Sequence, residues 1–216
     1  MKEEFSEELI SWAEKVIDVC TPVAEEFNLE YYPLQSRVKS RPTFLFIGLN
    51  PGGGYGYDSQ KGNPAWQFDF LKSRLTAQRV LLGNPAFDNG FHNGKWKYGR
   101  GLSKIPFLRE SIKNYDFVFA NYIFYSSKTC SEINKKELKN SIEENISLTK
   151  KLIEIIKPKF IIVLGTEVGL TKYQRTINCY CRVSVKDFWL RVKLVIFQLL
   201  AYHILPTITL RRKTKR

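Results

Sequence analysis

Two amide side chains stand where apolar runs give out. The first closes the stretch Phe44-Leu45-Phe46-Ile47-Gly48-Leu49-Asn50-Pro51-Gly52-Gly53-Gly54. Its opening apolar residues fit a strand buried on both faces, as in a parallel sheet. Asn50-Pro51-Gly52 is a turn signal. Gly48 turns without a Cβ, and the glycines that end at Gly54 leave the main chain open to a ligand. In open α/β sheets, ligands bind at this C-terminal end of the strands. An amide offers donor and acceptor together and does not titrate, so Asn50 suits a pocket wall and not a strong base. The same residues also fit an ordinary Gly/Pro-rich loop. The second amide, Asn121, lies in the run Phe117-Val118-Phe119-Ala120-Asn121-Tyr122-Ile123-Phe124. Asn is equally at home capping a turn. The tract Tyr125-Ser126-Ser127-Lys128-Thr129 follows, polar and suited to face a ligand.

A further set of residues suits anions and rings. Phe91-His92-Asn93-Gly94-Lys95-Trp96-Lys97-Tyr98-Gly99-Arg100-Gly101 interleaves aromatics, bases and glycines. Lys95, Lys97 and Arg100 suit phosphate contact, and the rings suit base stacking. A plain surface hairpin has the same composition. The chain has 34 Lys+Arg against 21 Asp+Glu, a formal net charge of +13. Such a balance favours a polyanionic partner, nucleic acid before an anionic membrane surface.

The elements that must position these groups read as α/β. Residues 3–28 have the apolar spacing of an amphipathic helix, with Pro22 expected to break or restart it. Residues 30–42 form a connection carrying Arg37, Lys39 and Arg41. A strand at 43–48, a helix over 66–82 and an irregular stretch to Gly101 follow. A long helix from Ser131 to Ile156 is closed by Pro158, and Phe160-Ile161-Ile162-Val163-Leu164-Gly165 is a third buried strand. Strand, helix and strand with continuous apolar runs imply a βαβ crossover and a parallel sheet. The run Leu194–Pro206 approaches a membrane span in length, but Gln198, His203 and Pro206 argue for a last strand leading to a loop at His203. The tail 211–216 is a basic arm.

The cysteines Cys20, Cys130, Cys179 and Cys181 lack the spacing of a zinc or redox site. With two histidines in the chain, a His-rich metal site is not expected. No metal and no cofactor are implied. The charged N-terminal run lacks the apolar core of a signal peptide, so an intracellular, cytoplasmic or nucleoid-associated chain is expected, with no membrane partner.

Four segments, in order, resemble the uracil-DNA glycosylase superfamily. Gly48-Leu49-Asn50-Pro51-Gly52 resembles its first motif, in the Asn-Pro-Gly form of the mismatch-specific and single-strand-selective branches. Gly62-Asn63-Pro64-Ala65-Trp66 resembles the following Gly-x-Pro-aromatic stretch, with the ring one residue late. Phe119-Ala120-Asn121 resembles the strand whose Asn reads the base edge. Lys157-Pro158-Lys159-Phe160-Ile161-Ile162-Val163-Leu164-Gly165 resembles a structural strand of the family. The family's closing His-Pro-Ser is matched only by Tyr202-His203-Ile204-Leu205-Pro206, with no Pro directly after the His.

The resemblance implies a three-layer α/β/α sandwich with a central, mostly parallel four-stranded sheet, spanning 1–216 as a single domain. It implies a monomer that removes uracil or another damaged base from DNA. Asn50 would orient the attacking water and His203 would stabilise the leaving base. Asn121 would read the base, Trp66 or Tyr57 would stack on it, and Gly48, Leu49, Pro51, Gly52 and Gly53 would line its pocket. Lys95, Lys97, Arg100 and Lys128 would meet the DNA backbone. The departure at His203 and the absence of an acid in the first motif leave two alternatives: a catalytically inactive nucleic-acid binder, and a small-molecule hydrolase or nucleotide-binding enzyme of the same fold.

Overall fold

The computed structural model describes residues 5–53, 56–66, 74–127, 136–165, 182–186 and 193–198. The fold is α/β. In chain order its elements are α1 (Glu7–Phe27), β1 (Phe44–Gly48), α2 (Tyr57–Gly62), α3 (Ala77–Leu82), α4 (Lys97–Leu102), α5 (Pro106–Lys113), β2 (Phe117–Asn121), α6 (Lys139–Ile156), β3 (Phe160–Gly165), β4 (Arg182–Lys186) and β5 (Lys193–Gln198).

The strands are ordered β2-β1-β3-β5-β4. β1 sits between β2 and β3, parallel to both. Its alternation explains the unbroken apolar run. Leu45 and Ile47 join Val118, Ala120, Ile161 and Val163 beneath the apolar sides of α1, α3 and α6. Phe44 and Phe46 join Phe117, Phe119, Ile162 and Leu164 on the other face, under Phe87, Leu108 and Ile112. Successive strand residues point to opposite faces, so two apolar covers require every position to be apolar.

A four-stranded, mostly parallel sheet was expected, and the described strands depart from it. β5 runs antiparallel to β3, and β4 antiparallel to β5, which makes five strands. β4 reads Arg-Val-Ser-Val-Lys, the short alternation of an edge strand, and it carries none of the continuous apolar signal that marks the parallel three.

α1 begins at Ser6, whose hydroxyl accepts from Leu9 N at 3.4 Å, and ends at Asn28 in the left-handed region. It runs unbroken through Pro22. The ring sits on the solvent face, and the carbonyl it leaves unpaired belongs to exposed Asp18, where water can serve it. Of the helix expected over 66–82, the described residues show a 3-10 turn at Pro64–Trp66, non-helical 74–76 and then α3, capped by Thr76; residues 67–73 lie outside the described residues. Within the helix expected over 131–156, a 3-10 turn at Lys136–Leu138 leads into α6, and Ser131 lies outside the described residues. The stretch 91–101 is not an open surface loop. A π turn at Asp88–His92 and α4 fold it onto the sheet, and Phe91 stacks on Phe87 at 4.9 Å inside the core. No helix among the described residues is long and apolar enough to cross a membrane.

One buried network ties the helices to the continuation of β2. Asn145 on α6 is fully buried; its Oδ1 accepts from Phe124 N at 2.8 Å and its Nδ2 donates to Ser141 O at 2.8 Å. Tyr125 shares a hydrogen bond with Ser141, and Thr149 donates to Asn121 O at 3.3 Å. The outer edge of β2 is covered by residues 30–36, which pair with it antiparallel through Tyr32 N to Phe124 O, Ser126 N to Glu30 O and Asn121 N to Pro33 O. Replacing Asn145 by Ala strands the Phe124 amide in the core. We expect Asn145→Ala to lower unfolding stability by about 2–3 kcal/mol in denaturant titration, against less than about 0.5 kcal/mol for a surface change.

Candidate functional site

The exit of β1 stays paired after the regular strands end. Tyr122 N donates to Gly48 O at 2.9 Å, Ile123 N to Leu49 O at 2.8 Å, and Ser127 N to Pro51 O at 3.2 Å. Gly52 and Ser127 form an isolated parallel bridge. Asn50 is therefore carried on an extension of the sheet, not on a free loop. Its Nδ2 donates to Pro51 O at 2.9 Å and to Ser127 Oγ at 3.1 Å. A carbonyl oxygen only accepts, so the atom against Pro51 O must be the NH2 group. That fixes the amide's orientation. Asn50 is half-buried, and among the described residues its Oδ1 accepts no hydrogen bond. Pro51 is buried and Leu49 packs against the core, while Gly52 and Gly53 are exposed, with open space where a Cβ would project.

Asn121 lies beside this exit, in register with Gly48. It is 2% exposed, and its Nδ2 donates to Tyr32 O at 2.6 Å. A Cβ on residue 48 would come within 3.1 Å of Asn121 Oδ1, so the asparagine side chain fills the space that Gly48 leaves. With its NH2 committed to Tyr32, Asn121 retains Oδ1, an acceptor, over the β1 exit.

The rings expected to stack on a ligand belong to the core. Trp66 is buried, tilted on Tyr32 at 4.9 Å, with the Arg79 guanidinium 5.7 Å from its ring centre. Tyr57 is buried, stacked on Tyr31 at 5.9 Å, with Lys61 Nζ 5.0 Å from its ring centre. Gln60, three residues past Tyr57, pairs with Tyr31 N and O at 3.2 and 3.0 Å. Lys95 and Arg100 are exposed, with Arg100 bonded to the Gly94 and Lys95 carbonyls of its own turn. Lys97 opens α4. This segment packs on the Phe44 face of the sheet, and no described contact brings it to Asn50. Lys128 and His203 lie outside the described residues. The described strand before His203, β5, ends with Gln198 opposite Phe160, at the end of the sheet away from Asn50.

Ser127, the partner that fixes Asn50, was marked in the sequence only as part of a polar tract. Gln60, Asn145 and Arg79 gave no signal. Arg79 is buried among carbonyls, donating to Gly83 O at 2.6 Å, and burial lowers its pKa. Among the described residues there is no cluster of three or more His, Cys, Asp or Glu side chains.

Beneath the site, burial dominates the titration of a set of weak acids. It pushes the Cys20 thiol and the Tyr57 hydroxyl each up to about 12, and it raises Tyr31, Tyr32 and Tyr125. In the unfolded chain these groups ionise near about 8.5 for Cys and about 10 for Tyr. The stability they contribute is full below those values and is lost as pH rises through the raised folded ones. Denaturant midpoints should thus hold to about pH 8.5 and fall steeply between about pH 9 and 12, with tyrosinate absorbance appearing together with unfolding. Tyrosinate appearing in full while the fold persists would contradict the burial.

Set against known proteins, the chain matches no family model and no curated protein.

Proposed function

We propose that the chain acts on nucleic acid as a DNA glycosylase-like protein, hydrolysing the N-glycosidic bond of uracil or another damaged base, with Asn50 at the reaction centre. One observation carries the reading. The Asn50 amide is clamped by Pro51 O and Ser127 Oγ, so its Oδ1 is the atom left to take a hydrogen bond from water. An acceptor that holds one O–H of a water aims the water's lone pair away from itself, which is a positioning role and not a basic one. In the proposed reaction the C1′–N bond breaks and its electron pair leaves with the base. The water oxygen then bonds C1′, and its proton passes to solvent or to the departing base. Asn121 Oδ1, over the β1 exit, accepts an N–H from the base edge.

Three further features support the reading. The parallel order β2-β1-β3 has apolar cover on both faces, which fits the three-layer α/β/α sandwich of the resembling family. The amides sit at the C-terminal strand ends. The formal net charge of +13 suits a polyanion.

A second reading, binding of nucleic acid without bond cleavage, is favoured by specific observations. Trp66 and Tyr57 are packed in the core, and β5 carries the chain away from Asn50. Labelled single- and double-stranded oligonucleotides containing uracil, hypoxanthine, xanthine or a G·T mismatch separate the two. Under the glycosylase reading, alkali reveals abasic sites, and Asn50→Ala lowers the rate on the order of a hundredfold. Salt-sensitive binding with no abasic sites selects the second reading.

A further inference from the structure

The opposite end of the sheet carries a site of its own. A groove of about 840 Å³ opens where β1 and β2 begin, between Ser6 to Leu9, residues 36–40, Asn114 to Phe117 and the end of α6. Its volume lies in the range of small-ligand pockets. Its floor is apolar, with Phe87 and Phe117 among the lining residues, and its rim carries Arg37 and Lys39. Along residues 36–41, Ser36 and Val38 are buried and Arg37, Lys39 and Arg41 exposed. Arg37 and Lys39 flank buried Val38 and both line the groove. Exposed Lys113 closes α5, two residues before Tyr115 in the chain. The acids at this rim are Asp116, paired to Lys39 at 3.3 Å, and Glu8.

Tyr115 gives the groove its chemistry. It is 52% exposed, and its ring lies stacked on the His92 ring at 4.0 Å between centres. His92 in turn is backed by Phe117 at 6.0 Å and Phe91 at 5.2 Å. The outermost ring of a buried aromatic stack is thus presented at a cationic rim. Tyr115 holds a left-handed backbone with φ 52, an arrangement that is uncommon for a bulky side chain and is kept only where the surroundings fix it. Lys39 Nζ bonds the Tyr115 carbonyl at 3.3 Å. Phe107, the other large exposed apolar residue among those described, is at the same end, tilted against Phe44.

A flat exposed ring beside two cations, Arg37 and Lys39, matches the chemistry of a nucleobase joined to a phosphate. We propose that this groove is a nucleotide-binding site separate from the β1 exit, with the base stacked on Tyr115 and the phosphate met by Arg37 and Lys39. The nucleotide is either free or one unit of a single strand, and the test distinguishes these sources.

Binding of a short labelled oligothymidylate to the full-length chain is followed by fluorescence anisotropy, with thymidine monophosphate as competitor. Glycine accepts a positive φ, so Tyr115→Gly removes the ring without straining the backbone. Tyr115→Gly should weaken binding by about fivefold to a hundredfold, the range for loss of one base–ring stack, while Tyr115→Trp retains it. Arg37→Gln should lower the salt slope by about one. Competition by the monophosphate identifies a free nucleotide as sufficient; binding of the oligonucleotide alone, still sensitive to Tyr115→Gly, identifies a strand. The part of the binding that Tyr115→Gly removes is read whether or not abasic sites form, so failure of the glycosylase reading leaves this result standing. Photo-crosslinking of an iodouracil oligonucleotide to the unaltered chain should mark Tyr115, which decides the matter even where Tyr115→Gly does not fold. No binding of either probe, equal binding by Tyr115→Gly, or crosslinks confined to other segments would overturn the proposal.

Discussion

The buried amide of Asn145 is the constraint on which the site depends. It satisfies Phe124 N and Ser141 O at 2.8 Å each, in a position with no access to water. Without it, the chain after β2 would have an orphaned donor inside the core, a loss comparable to several ordinary hydrogen bonds. With it, residues 122–127 are held alongside the β1 exit, and Ser127 arrives where Asn50 can use it. The orientation of a half-buried amide at the sheet end thus follows from a fully buried one on a helix.

The parallel core was legible because burial on both faces forces a pattern that nothing else produces. Phe44–Gly48, Phe117–Asn121 and Phe160–Gly165 read as strands, and α1 and α6 read as helices, from apolar spacing alone. Glycine misled at 91–101. Gly99 reads as a loop residue, yet it sits in α4, where a Cβ would lie 2.3 Å from Phe91 O. Close packing and turning ask for the same residue, and composition cannot separate them. β4 was missed for a different reason: an alternating five-residue edge strand has little pattern to read.

At the site, Asn50 and Asn121 were found from their place at strand ends, whereas their partners were not. Ser127 is 77 residues from Asn50, and Tyr32 is 89 from Asn121. Pairings across such distances follow from register, which one chain's sequence does not display. The rings show the converse. Trp66 and Tyr57 have the right type and near-right spacing to stack on a ligand, but a large ring is also the best filler of a core, and here the core holds both. Among the described residues the most exposed large ring is Tyr115, at the other end of the sheet, in a position that no motif marks. The sheet thus separates two chemistries: a clamped amide at the C-terminal strand ends and a ring with cations at the N-terminal ends.

The clamp on Asn50 is open to direct observation. Side-chain amide exchange by NMR reads the Asn50 NH2 protons, both of which donate to protein oxygens. The account predicts two well-separated, slowly exchanging resonances, which collapse toward free-amide behaviour when Ser127 is replaced by Ala. Fast exchange of both protons in the unaltered chain would mean that the amide turns freely, and that Asn50 Oδ1 is not held to receive a water.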